Sequence, residues 1–419
     1  MKKVLALVLA FMMLLCACAL AETSISTTAA EIELTGDPSA LKVGVVLIGD
    51  ENEGYTAAHI NGIKGAAEAL GMTDDQFVWK YTVHEDAGCY EAIMDCVDSG
   101  CTVIFSNSYG HQTYTQQAAI EMAGEPVQFV AMTGDTANAS GLDNFSNAFT
   151  KVYESRYVSG VVAGMKLAEM VENGELVDDN YDADGNIKIG YVGAYPYAEV
   201  VSGYTAFFLG IRSVVPNVTM SVQYTNSWFD IIAEGEAANA LLSTGCAIIG
   251  QHADSTGAPA AVEAARANGT NAYSIGYNID MLSVAPTAAL TSATNVWEVY
   301  YEYALKTAAN GDPIARNWAA GYEQDAVAIT ELGESCAEGT AEKVEEVIAG
   351  LKDGSIKVFD TATFTVGGET VESAFATDTD GDFTPDTDEA IIDGTYAESY
   401  FQSAPSFALR IDGITELLN

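Results

Sequence analysis

From Gly245 to Met281 the chain reads as strand, polar loop, helix, strand, polar loop. Ala247 to Gly250 is a short apolar run ending in glycine, the pattern of a buried strand. Gln251 to Thr256 is polar, and Pro259 to Ala267 is an Ala-rich stretch with proline in its first turn, which predicts a helix. Ala272 to Gly276 is a second apolar run, followed by Asn278 and Asp280. A unit of this kind lays its two strands parallel, with both polar loops at their carboxyl ends. Open α/β sheets bind ligands in the crevice at those ends.

The same alternation runs through most of the chain. A first series pairs strands at 42–49, 77–83, 102–105, 127–132 and 144–149 with helices beginning near Ala57, Gly88 and Thr113. Tyr153 to Met170 then predicts a long helix, apolar on most sides and therefore buried, with Gly160 and Gly164 allowing a close backbone neighbour. After an acidic, turn-rich connection at 173–186, a second series runs from about 187 to 282 with helices at 198–214, 231–242 and 259–267, and Ala288 to Ser292 is a further apolar run. Val296 to Ala309 and Ala341 to Leu351 predict further helices, and Lys357 to Val371 predicts strand structure around a Gly367-Gly368 turn. A chain of 419 residues exceeds what one core usually serves, so two series predict an α/β protein of two doubly wound parallel-sheet lobes.

The formal charge is −42, from 59 acidic and 17 basic residues. A surface this acidic repels nucleic acid and anionic lipid, and neither is an expected partner. Lys2, Lys3 and the apolar run Val4 to Leu15 predict a secretion signal, too short for a membrane anchor. Two processing sites fit: Ala19-Leu20-Ala21 as a small-x-small cleavage site, and Leu15-Cys16-Ala17-Cys18 as a lipobox-like sequence that would lipidate Cys18. Both put the protein outside the cytoplasmic membrane, either free or lipid-anchored at the cell surface or in the periplasm. Cys89, Cys96 and Cys101 lie near enough in sequence for one bridge, but the odd count of cysteines in the mature chain favours buried free thiols.

The strand-end loops carry aromatic and polar residues together: Tyr55, Thr56, Asn107, Ser108 and Tyr109 in the first series, and Trp228, Asp230, His252, Asp254, Tyr277, Asn278 and Asp280 in the second. Brought face to face, these loops would hold a flat ligand with polar edges. Tyr55, Tyr109 and Trp228 are the stacking candidates, although Trp228 also fits a core position. Asn107, His252, Asp254, Asn278 and Asp280 are the hydrogen-bonding candidates, although Asp254 and Asp280 also fit simple caps. No P-loop, GxSxG elbow or GxGxxG turn is present, no histidine pair has metal-ligand spacing, and no cofactor is implied. Asp378, Asp380, Asp382, Asp386 and Glu389 have roughly the spacing of a calcium loop, but Phe383 stands where the turn needs glycine, so a solvated acidic loop is the expectation.

The segments GDENEGYTAAHINGIKGAAEALG (49–71), YESRYVSGVVAGMKLA (153–168), TNSWFD (225–230), GQHADS (250–255) and GYNIDMLSVAPTAALTS (276–292) together resemble the BMP (basic membrane protein) family of ABC-transporter substrate-binding lipoproteins, which includes purine nucleoside receptors. The resemblance implies a type I periplasmic-binding fold with a hinge and an interlobe cleft, a purine nucleobase or nucleoside as ligand, and an ABC permease as membrane partner. It implies that Tyr55 and Thr56 take the positions of an aromatic-Asn pair that holds the base. It places Asn278 and Asp280 in a pattern like GVDxDQ that reads ribose, with Asn replacing the first Asp. The expected division is 1–21 signal, 22–41 tether, 42–163 with 291–335 first lobe, 164–290 second lobe, and 336–419 a C-terminal region whose acidic loop (378–389) packs on the lobes. The expectation is thus a monomeric binding protein and not an enzyme. A sugar or signalling molecule in the same fold, or a nucleoside hydrolase using His252 with Asp254 or Asp280, are the alternatives.

Overall fold

The computed structural model describes residues 32–379 and 384–417. The signal, Cys18 and residues 22–31 of the tether therefore lie outside the described residues, as do Asp380 and Asp382 of the acidic loop. Strands β1 (Val43–Val46), β2 (Phe77–Lys80), β3 (Val103–Ser106), β4 (Gln128–Met132) and β5 (Phe145–Thr150) alternate with helices α1 (Gly54–Ala69), α2 (Ala87–Asp98), α3 (His111–Glu121) and the short α4 (Ala137–Ser140). The long helix α5 (Val152–Glu172) leads to a second series: β6 (Ile187–Gly193), α6 (Ala198–Arg212), β7 (Val218–Tyr224), α7 (Ile231–Ser243), β8 (Ile248–Gln251), α8 (Gly257–Ala267), β9 (Tyr273–Tyr277) and β10 (Ala289–Asn295). Then follow α9 (Trp297–Ala309), β11 (Asn317–Ala320), β12 (Val327–Ile329) and α10 (Thr340–Lys352). Two short ribbons, β13 (Phe375–Thr377) with β14 (Thr387–Glu389) and β15 (Ile391–Ile392) with β16 (Thr395–Tyr396), precede β17 (Ile414–Leu417).

The two series form two sheets, ordered β11-β5-β4-β3-β1-β2 and β12-β10-β9-β8-β6-β7-β17. All pairings in these sheets are parallel except β10 with β12. Central strands such as β1, β3 and β8 are buried along their whole length, as their unbroken apolar runs require. The chain passes between sheets three times, at Thr150–Val152, Asn295–Trp297 and Ala320–Val327.

These crossings correct the expected division. Residues 291–295 and 327–329, assigned above to the first lobe, are strands of the second sheet, because β10 registers on β9 and carries β12 on its other side. Helix α5 packs on α6, β10 and β12, and although Val152 joins the first core, Tyr153 to Ala163 belong with the second sheet. The reason lies in Gly160 and Gly210: a Cβ on Gly160 would overlap the Phe207 carbonyl, and one on Gly210 would overlap the Tyr157 carbonyl. The two helices meet backbone to backbone, the close approach that the glycine spacing predicts.

The C-terminal region seats most of its apolar side chains, among them Phe359, Phe364, Tyr396 and Phe407, in the core of the second lobe. It also reaches the first, where the Asn138 amide donates to the Phe401 carbonyl (2.7 Å) and Ala404 joins the core. Lys357 to Val371 does not form the predicted strand; it makes only isolated bridges, and Gly367 and Gly368 form a left-handed turn between Val366 and Glu369. With no strand of either sheet alongside it, the segment has no ladder to join. Cys89, Cys96, Cys101 and Cys246 are buried free thiols, and Cys336 is a partly buried one.

Candidate functional site

A cavity of about 540 Å³ opens between the carboxyl ends of the two sets of strands. Lobe one contributes the loops after β1, β2, β3 and β4, and lobe two those after β6, β7, β8 and β9. The connection after β1 is fixed by Glu53, whose carboxylate caps α1 by accepting from the Tyr55 and Thr56 amides, both at 2.8 Å. This sets Tyr55 in the first turn with its ring at the cavity. Its hydroxyl donates to the Asn107 carbonyl, and its ring meets His59 edge-on at 4.6 Å. His59 in turn stacks on Trp297 at 4.3 Å, and burial lowers its pKa to about 3, so it is a neutral part of the core.

Lobe two answers with aromatic rings. Tyr195 and Tyr197 stack at 5.1 Å, and Trp228 meets Tyr195 edge-on at 5.2 Å. Across the cleft, Tyr109 of lobe one lies 6.2 Å from Tyr197, and its hydroxyl donates to Asp135 (2.9 Å). Below them the Arg156 guanidinium lies 3.6 Å over the Tyr277 ring and donates to the Gln251 carbonyl. Its Nε and Nη2 have no partner among the described residues.

Two carboxyls face the cavity from lobe two, each held from behind by one oxygen. Glu199, in the first turn of α6, is 3.2 Å from His252 Nε2. Asp254 accepts from the Asn278 amide at 2.6 Å. Burial raises Glu199 to about 7, against the opposing pull of Arg156, and it raises Asp254 well above the usual carboxylate range. Burial, with Arg156 adding to it, lowers His252 well below its ordinary value, so the imidazole is neutral and its Nε2–H donates to Glu199.

Of the residues singled out in the sequence, Tyr55, Ser108, Tyr109, Trp228, His252, Asp254 and Tyr277 line this cavity. Thr56, Asn107 and Asn278 are buried just behind it. Asn107 accepts from the Ile48 amide (2.8 Å) and donates to Thr56, bracing the loop after β1. Asn278, at φ +63°, joins the cleft to the crossing: Thr150 donates to Asn295 (2.5 Å), Asn295 to Asn278 (3.3 Å), and Asn278 to Asp254. Asp230 and Asp280 are corrections. Both are exposed and outside the cavity: Asp230 caps α7 through the Ile232 and Ala233 amides, and Asp280 accepts from the Leu282 amide. Their carboxylates are committed to local turns.

Glu199, Glu53, Glu85 and Arg156 are additions that sequence reading did not supply. Glu199 stands where a helix follows β6, the same kind of position that singled out Asp254. Glu85 follows β2 and accepts from Ser108 (2.6 Å) and the Gly110 amide (2.7 Å), so it shapes the loop beside it. Arg156 is a charged residue among the small and apolar buried positions of a helix on which Lys166 is the other buried charge, which is itself a signal. Among the described residues no cluster of His, Cys, Asp or Glu is arranged to hold a metal. In the acidic loop, Asp386 is engaged by Thr379 and Glu389 by Ser373 and the Ala374 amide, while Asp378 lines a neighbouring cavity of about 520 Å³.

Residues 50–358 match the family model described as ABC transporter substrate-binding protein PnrA-like (Bmp). The chain is 33% identical over 322 residues to a purine-binding protein of Brucella abortus, covering 76% of this chain and 83% of that one. It is 30% identical over 365 residues to a putative ABC transporter glucose-binding protein of Haloferax volcanii, covering 84% and 83%. Among solved structures, an ABC transporter solute-binding protein of Aeropyrum pernix superposes with a TM-score of 0.62 at 17% identity, covering 76% of this chain and 93% of that one.

Proposed function

Because this chain belongs to the PnrA-like (Bmp) family of ABC transporter substrate-binding proteins, we propose that its cleft captures a purine, as free base or nucleoside, for delivery to an ABC importer. The family membership makes it a solute-binding protein and not an enzyme. The observation that carries the purine reading is the pairing, in one cavity, of aromatic rings from both lobes with two half-satisfied carboxyls. Rings on either side suit the faces of a flat heterocycle, and carboxyls suit the N–H donors on its edge. The purine-binding relative supports the same class. Rotation about the three crossings would open and close the cleft, and ligand bridging both lobes would favour the closed form.

A sugar is the second reading, favoured by the glucose-binding relative, because carboxyls over aromatic rings also suit hydroxyl-rich ligands. Calorimetric titration of the purified protein with adenine, guanine, hypoxanthine, adenosine, inosine and glucose separates the two. Binding of a purine at micromolar affinity or better, with no heat from glucose, supports the proposal; the reverse pattern overturns it. Free base released catalytically from adenosine or inosine would overturn the assignment as a binding protein. The site of work is extracytoplasmic on this reading, since the family serves ABC transporters, and no helix of the described residues is long and apolar enough to cross a membrane. Cys18 is the proposed lipid attachment point. Labelling with a fatty acid should therefore be lost in Cys18→Ala.

A further inference from the structure

The carboxyl of Glu199 is incompletely used by the protein. One oxygen, Oε1, is held by His252 Nε2 at 3.2 Å, and the other carries no hydrogen bond among the described residues. The side chain is nevertheless 17% exposed, and it lines the cavity. It is also held rigidly. His252 is wholly buried, and its Nδ1 side is packed against Gly203 of α6 so closely that a Cβ there would sit 2.7 Å from it. The imidazole therefore cannot swing away, and its Nε2 orients Glu199 from behind. A carboxyl fixed by one oxygen and offering the other to a low-dielectric cleft is built to take a directed N–H bond.

We propose that Glu199 sets the base preference of the cleft, its unoccupied oxygen accepting a hydrogen bond from an exocyclic amino group or adjacent ring N–H of the purine. The inference rests on the purine reading above and adds to it the edge that is read. Bases bearing such donors are preferred over unsubstituted purine, which presents the same stacking face with fewer donors. Rings supply affinity that is indifferent to the edge, and Glu199 supplies the discrimination.

The test is calorimetric titration of wild type, Glu199→Gln and Glu199→Ala with adenine, guanine and unsubstituted purine, with melting temperatures measured alongside. Wild type should bind at least one amino-bearing base more tightly than purine. Glu199→Ala should weaken that base by about ten- to hundredfold while changing purine far less, so that the two affinities converge. Glu199→Gln keeps the size of the side chain, but its single amide oxygen is drawn to His252 Nε2 and its NH₂ then faces the cleft, so it should lose most of the preference as well, and it serves as the folded control should the alanine variant melt early. An unchanged ratio of affinities in both variants overturns the assignment of Glu199 and leaves the purine reading standing. Failure of wild type to bind any of the three bases overturns both.

Discussion

Replacing Glu234 with Gln should remove part of the pH dependence of stability, and the size of that part follows from where the carboxyl lies. Glu234 is on α7 and fully buried. Its Oε1 accepts from the Asp230 and Ser255 amides, both at 3.2 Å, so it anchors the end of the loop that carries His252 and Asp254. Burial raises the carboxyl from 4.5 to about 7, although the bonds from Ser255 and Asp230 act the other way. A group raised in this way contributes its full stabilisation below pH 4.5, where it is protonated folded or unfolded. The contribution is lost as pH rises through 7, because the unfolded chain ionises first. At 1.36 kcal/mol per pKa unit, the loss is about 3 kcal/mol. Gln does not titrate, and its single amide oxygen can take both bonds now made to Oε1. Any fixed cost of its NH₂ facing the Ser255 amide shifts every pH equally. Urea unfolding of both proteins from pH 4.5 to pH 8 should therefore give a stability difference, variant minus wild type, that rises by about 3 kcal/mol. Other buried carboxyls such as Glu199 and Asp254 leave both proteins more stable in acid, so the difference is the readout. Parallel curves would refute the reasoning, since they would mean that Glu234 ionises in the folded protein as easily as in water.

Tyr55→Ala should weaken purine binding by about 1–3 kcal/mol without unfolding the chain; unchanged affinity by calorimetry would remove Tyr55 from the stacking role. Gly160→Ala should destabilise the second lobe by about 1–3 kcal/mol or more, because the new methyl collides with the Phe207 carbonyl; an unaltered urea midpoint would contradict the backbone contact. Asn278→Ala should cost about 1–3 kcal/mol by stripping Asp254 of its donor and Asn295 of its acceptor, visible as a lower melting temperature. The lining of the cleft includes Asp50, Glu53, Glu85, Glu199 and Asp254 but no Lys or Arg. Adenosine monophosphate should therefore fail to displace adenosine in a competition titration, and effective displacement would show that the carboxyls do not govern access.

Most of the repeating fold was legible because its signals are local. Buried parallel strands must be continuous apolar runs, and the helices between them announce their ends with Gly, Asn and capping carboxylates. Membership of the strands was not legible. The run 289–295 looks like any buried strand, and only its register on β9 places it in the second sheet. Likewise Ile414–Leu417 is partly exposed and short, and it becomes a strand by adding to the edge of β7.

The amino-acid sequence by itself determined that Tyr55, Tyr109, Trp228, His252 and Asp254 sit at strand ends, because strand polarity and loop position follow from the order of the elements. It also determined that α5 has a close backbone neighbour, because Gly160 and Gly164 leave room that no other residue would; that the neighbour is α6, meeting it at Gly210, was decided by the structure. Only the tertiary structure decided which of two similar aspartates faces the cavity. Asp230 turns back to cap its own helix, whereas Asp254 is drawn inward by Asn278 from a strand 24 residues further along. Only the structure brought Arg156 beneath Tyr277 and Glu199 against His252, since each pair joins segments far apart in the chain. Hydrogen-bond partners across such distances are set by how helices and sheets pack, and that information is distributed over the whole core instead of residing near either residue.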